Sequence, residues 1–286
     1  MVFVFYNQVM NRIFDVISEG MDYVQPTRNF SLAYVILDSI FVCAFVFLLF
    51  FKKKRVTAYW ALAGGVLYFL VDFLLFYLAT GSREIFSYAL DEPAKTVLLG
   101  PGGTAGILFW MSMSYGILDF AFIWLWLSND EHRIEYSLLI VVWWICCPLM
   151  ADFINNLAPS SLAFMTTRGT GKYHGVMGLI MVVGYVLAIV YNLLQKEKDK
   201  KVPLVRIFII GFMAQFLWEA ALLVFGVRSQ NYGGDSMRQI MTLLQNSLVE
   251  TNLGMPYIYF IHRFVTARYR EDCSKAESLS KESLVE

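Results

Sequence analysis

"PLVRIFIIGFMAQFLWEAALLVFGV" fills residues 203–227, an almost unbroken apolar run with Gln215 and Glu219 in its second half. About 20 such residues are enough to cross the hydrocarbon of a bilayer as a helix. A carboxylate inside a crossing helix costs about 2.5–3.5 kcal/mol on insertion scales, which makes Glu219 a candidate functional residue. Whether the run spans a membrane or lies in a soluble core therefore decides the fold and the meaning of the acid together.

The rest of the chain decides for the membrane. Of the 286 residues, 58% are hydrophobic and 16% charged, against about 25% charged in an ordinary soluble domain. The charges are clumped in "KKKR" (52–55), "NDEHR" (129–133), "QKEKDKK" (195–201) and "HRFVTARYRED" (262–272). Between the clumps the sequence predicts seven spans, at 29–51, 56–80, 105–128, 137–157, 173–194, 203–227 and 240–262. This is an all-α, polytopic membrane protein, in a cell or inner membrane. Lys and Arg favour the cytoplasmic side of short loops. That puts the N-terminus outside and the C-terminus inside. The net charge of +0 gives no reason to expect a nucleic-acid partner. The expected partners are membrane lipids and a small cation or small molecule.

The ends differ from the middle. Residues 1–28 place Tyr6, Met10, Ile13 and Ile17 at helical spacing among polar residues, which predicts a helix lying in the membrane interface. Residues 263–286 read as a polar cytoplasmic tail, unstructured from 271 onward. Cys43, Cys146 and Cys147 fall within spans and Cys273 in the tail, so no structural disulfide is expected. Histidines lie at span ends, and no HExxH or paired-Cys spacing predicts a zinc site. No cofactor motif is present. "GPGGTAG" (100–106) lacks the Gly-Lys-Ser/Thr ending of a phosphate loop and reads as a flexible loop entering the third span.

Six of the seven spans carry an acid: Asp38, Asp72, Asp119, Asp152, Glu219 and Glu250. No Lys or Arg lies well inside a span to neutralise them. All but Asp119 fall near the midplane or outside it, so a common layer is expected. Asp72, Glu219 and Glu250 would face one interior, with Asp38 and Asp152 at its rim. Tyr34, Tyr68, Tyr115, Gln215 and Asn246 each precede an acid by four residues, on the same helix face, and are candidate hydrogen-bond donors to it. In the fourth span Pro148 frees the carbonyl of Trp144 on the face of Asp152, Asn155 and Asn156. That set is either a cation site or a kinked helix whose polar residues approach the interface. The seventh span is the most polar. Gln245, Asn246, Glu250 and Asn252 share one face with Thr242, and that face must meet protein or a wet cavity. Glu219 and Glu250 follow each other across one outer loop, so they are expected on neighbouring helices as a working pair.

A faint repeat runs through the chain. A shift of 147 lays Gly64 on Gly211, Phe69 on Phe216, Leu70 on Leu217 and Asp72 on Glu219. A shift of 131 lays Asp119 on Glu250. Parallel repeats of this kind occur in transporters. The 3+1+3 plan resembles the SWEET and PQ-loop transporters, although their Pro-Gln motif is absent. "LWE" (217–219) and Glu250 in "LVETNLGMPYIYF" (248–260) resemble the acid sites of fungal-type membrane terpene cyclases. That likeness covers two helices and assigns no catalytic residue; if the protein is an enzyme, Glu219, Glu250 and Asp72 are its candidate acids. A retinal protein is excluded by the lack of a lysine in the seventh span. Three readings of the acids remain: a carrier of a cation or of a proton- or cation-coupled solute, an embedded enzyme or binding protein for an apolar lipid- or terpenoid-like ligand, and structural links between helices.

Overall fold

The computed structural model of the chain describes residues 27–158, 160–168, 173–229 and 236–282. Nearly all of the expected interfacial segment, 1–28, lies outside them. The described chain is mostly helical. Six helices are long and apolar enough to cross a membrane: α1 (Leu32–Phe51), α2 (Arg55–Leu70, continued as a π-helix over Val71–Ala79), α3 (Pro101–Leu127), α4 (Arg133–Leu157), α5 (His174–Leu194) and α6 (Leu204–Val224). Large apolar side chains such as Ile40, Phe47, Phe153, Leu187 and Val205 stay exposed on the outer faces, as lipid-facing surfaces do. This is the architecture of a multi-pass membrane protein.

The predicted seventh span is two helices, α7 (Ser236–Val249) and α8 (Met255–Glu282), separated by a turn over 250–254. Pro256 sits in the first turn of α8, where its missing N–H costs nothing. The polar segment read as unstructured from 271 onward continues α8 as far as Glu282. The glycine-rich stretch at 100–106 is likewise no loop: Gly100 caps α3 and Pro101 is its first residue.

A second departure from the expected all-helical chain is a five-stranded sheet. Its strands are β1 (Thr27–Ser31), β2 (Arg83–Ala89), β3 (Val97–Leu98), β4 (Leu162–Arg168) and β5 (Arg228–Ser229), in the order β3-β2-β4-β1-β5, all antiparallel. Each strand joins the same end of the bundle, before α1 and α5 or after α2, α4 and α6. Ser31 ends β1 and caps α1, its hydroxyl accepting from the Tyr34 N–H at 3.2 Å. The opposite end is tied by Lys54 to Asp130 (2.5 Å), by Arg206 to Asn129 (2.7 Å) and to the Trp126 carbonyl, and by Arg263 to the Lys200 carbonyl. These are the basic loops.

The sheet has an internal symmetry. Arg28 on β1 stands opposite Arg228 on β5, and Arg83 on β2 stands opposite Arg168 on β4. A half-turn about an axis between β1 and β4 exchanges β1 with β4, β5 with β2, and one arginine pair with the other. Among the described residues β3 has no counterpart.

α3 is the central helix, buried over most of its length. It meets α2 at three glycines. A Cβ on Gly116 would lie 2.7 Å from the Gly65 Cα, and one on Gly64 would lie 2.2 Å from the Phe120 ring. Small residues let membrane helices approach at backbone distance where no hydrophobic force between helices is available. Gly211 on α6 does the same for the turn at 250–254, since a Cβ there would meet Asn252 Oδ1 at 2.6 Å.

Candidate functional site

Asp72 lies in the first turn of the π-helical continuation of α2 and Glu219 in the second half of α6, and the sheet supplies their counter-ions. Arg83 on β2 donates from Nη2 to Asp72 Oδ1 at 2.6 Å, with both side chains buried. Asp72 Oδ2 accepts from Ser112 at 3.1 Å and from the Tyr115 hydroxyl in a short bond. Glu219 is fully buried and is met by two arginines. Arg28 on β1 donates to Oε1 at 2.7 Å, and Arg228 on β5 pairs with Oε2. Neither acid is an unpaired charge. The basic residues lie just beyond the span ends, within reach of a long side chain. The sequence singled out none of the three: Arg28 falls in the N-terminal segment 1–28, and Arg83 and Arg228 fall in segments between spans.

From Glu219 the polar contacts run inward through Gln215. Its Nε2 donates to Glu219 Oε1 at 3.2 Å and to Glu250 Oε2 at 3.0 Å, and its Oε1 accepts from Thr251 at 2.9 Å. One amide thus bridges the two expected partners, Glu219 on α6 and Glu250 in the turn that follows α7. Glu250 Oε1 also lies 3.5 Å from His174 Nε2 at the start of α5. The Arg28 guanidinium lies 6.0 Å from the centre of the Tyr115 ring, which joins this cluster to Asp72. A polar path therefore crosses the bundle from Asp72 to His174.

Asp119 sits deeper on α3. It is fully buried, and neither carboxyl oxygen has a hydrogen-bond partner. Arg28 and Glu250 are its charged neighbours within electrostatic reach. Nearby, Asn252 in the broken stretch accepts from the Tyr185 hydroxyl at 3.2 Å, while its Nδ2 is buried without a partner. Among the described residues no three His, Cys, Asp or Glu side chains converge as a metal site would need.

Several expected pairings are different. Tyr115 turns to Asp72 on the neighbouring helix and away from Asp119. Tyr68 packs its ring edge-on against Tyr115 at 4.8 Å and makes no hydrogen bond to Asp72. Tyr34 is buried one turn from Asp38, but Asp38 Oδ1 takes its bond from Trp143 Nε1 at 3.0 Å. Asn246, with its amide oxygen turned to Arg228, accepts from Nη1 at 3.2 Å instead of holding Glu250. Of the i, i+4 donors only Gln215 serves its own acid. The Pro148 set comes apart as well. Asp152 and Asn156 are exposed, while Asn155 is half-buried with an unpartnered Oδ1. Asp152 is therefore a polar residue near the end of α4, outside the interior cluster. Gln245 is exposed, with Nε2 at 3.3 Å from His174 Nδ1. The sequence did not single out Ser112, Thr251 or His174. His174 was visible only as a polar residue at a span start.

No protein-family model, curated protein or solved structure matches the chain.

Proposed function

We propose that the chain is a membrane carrier in which proton binding drives movement of a cation or a small solute, with Asp119 and Glu250 as the groups that load and unload. The observation that carries this reading is Asp119, a fully buried carboxyl with no hydrogen-bond partner on either oxygen, beside a span that breaks at Glu250–Gly254. Irregular backbone at membrane depth is tolerated only where it is enclosed by protein or lines a wet cavity. Carriers use such discontinuous helices for their ion sites. Glu250 contacts His174, an imidazole that can accept or pass a proton, and the Gln215 amide, whose N–H orients the carboxyl. Glu219 and Asp72 have a different role in this scheme. Their charges are compensated by arginines, so they hold the sheet to the bundle and set the position of Gln215.

Duplication of a three-span unit belongs to the same proposal, with α4 as the linker. The half-turn symmetry of the sheet supports it: Asp72 is followed by its partner Arg83, and Glu219 by its partner Arg228. A carrier needs two such halves to rock against each other. The sheet end then faces outside and the basic loops face the cytoplasm.

The test is proton-driven flux in liposomes of purified protein, read by a trapped pH dye and by labelled solute. Asp119→Asn and Glu250→Gln should each lower coupled flux more than tenfold, while Asp152→Asn leaves it unchanged. Full flux in both interior variants removes the proposal.

A further inference from the structure

A cleft of about 590 Å³ opens between α1, α2 and α3, apart from the network around Asp119. Most of its wall is apolar, including Val46, Phe50, Leu62 and Ile117. One polar end is formed by Asp38 and Ser114, with Trp110 beside them. The volume and the ratio of apolar wall to a few placed polar groups are those of a small-molecule site. Cys43 and Phe47 line it and are exposed, so it opens sideways toward lipid.

Asp38 is 2% exposed. Its Oδ1 accepts from Trp143. Its Oδ2 accepts no hydrogen bond of normal geometry, although Ser114 and Trp110 stand beside it. Among the described residues no arginine pairs with this acid, in contrast to Asp72 and Glu219. From Asp38 to Phe50 the cleft follows α1 for about 18 Å at 1.5 Å per residue, the length of a long alkyl chain.

We propose that this cleft binds a long-chain aliphatic amine, with the chain along α1 and the ammonium on Asp38 Oδ2. An ammonium supplies the charge that the buried carboxylate lacks and a donor to its Oδ2. A fatty acid would set like charge against Asp38, and a fatty alcohol would leave the charge uncompensated. The proposal is independent of the carrier reading, because Asp38 is not on the path from Asp72 to His174.

The test is equilibrium binding of radiolabelled tetradecylamine to the full chain in phosphatidylcholine nanodiscs, corrected for empty discs, with tetradecanol and myristate as competitors. Saturable binding near one amine per chain is expected, displaced by unlabelled amine at least tenfold better than by either competitor. Asp38→Asn should weaken binding at least tenfold. Cys43→Trp, which fills the cleft wall and leaves the Asp38–Trp143 bond in place, should do the same and serves if the first variant does not fold. Non-saturable uptake equal to empty discs, equal competition by tetradecanol, or unchanged binding in the folded variants overturns the site. None of these outcomes touches coupled flux through Asp119 and Glu250.

Discussion

A carboxylate in the middle of an apolar helix is tolerable when a counter-ion reaches it, and Glu219 is reached by Arg28 and Arg228 together. Removing one partner of a buried ion pair leaves an uncompensated charge and costs about 3–5 kcal/mol. Glu219→Gln should therefore destabilise the protein by about that much in thermal or denaturant unfolding. Adding Arg228→Gln to Glu219→Gln should cost less than the sum of the two single changes, because the partners share one interaction. Additive losses would show that the pair is not coupled. At this scale the sequence was partly legible. Gln215 lies one turn before Glu219, and its contact follows from helix geometry alone. Arg28 is separated from Glu219 by 191 positions, so nothing local announces it. Tyr115 lies one turn before Asp119 yet serves Asp72 across the α2–α3 contact, because glycines bring those two helices to backbone distance.

Elements follow apolar length, and the six helices appear where runs of about 20 apolar residues lie between charged clumps. The strands were hidden for the same reason. β1, β2 and β4 are short, and β3 and β5 have two residues each, so they read as loops between spans. The β-branched and aromatic residues Ile85, Phe86 and Tyr88 in "REIFSYA" (83–89) were the available signal for β2. The turn over 250–254 was foreshadowed only by Gly254 and Pro256. Within α3, two glycines separate close packing from mere composition. Gly116→Ala forces a Cβ to 2.7 Å from the Gly65 Cα, and overpacking of this kind costs about 1–3 kcal/mol. A Cβ on Gly106 would meet no atom within 4 Å, so Gly106→Ala should be neutral or stabilising by up to about 1 kcal/mol. Melting temperatures in detergent should place Gly116→Ala below the parent and Gly106→Ala at or above it. The reverse order would contradict the α2–α3 packing.

At the scale of the molecule, alternation of apolar runs and basic clumps made the multi-pass bundle legible. The sheet was not, because its strands come from four separate places in the chain. Its register gives a direct check. Asn29 and Met165 are paired across β1 and β4, and directly opposed residues of an antiparallel pair have Cα atoms about 4.5–5.5 Å apart, within disulfide range. Asn29→Cys with Met165→Cys should cross-link under mild oxidation, whereas Asn29→Cys with Leu162→Cys should not. A reporter fused after Lys53 or Lys198 should read as cytoplasmic, and one in the 83–100 segment as external. A cytoplasmic reading for the 83–100 fusion would reverse the orientation.

The strand order β3-β2-β4-β1-β5 also sets a timetable for biogenesis. β1 is made first, but its neighbours are β4 and β5, which leave the ribosome only after four and six helices respectively. Until then Arg28 has no Glu219 to meet, and the first strand waits with open edges while the membrane fills. Contacts between such distant segments form slowly, since long loops must close before the pairing rewards them. Helix insertion can proceed one span at a time, but the sheet closes only when β5 arrives. A ribosome stalled before residue 228 would thus leave a bundle without its lid, a form that a quality-control protease could distinguish from the finished protein by the exposed strand alone.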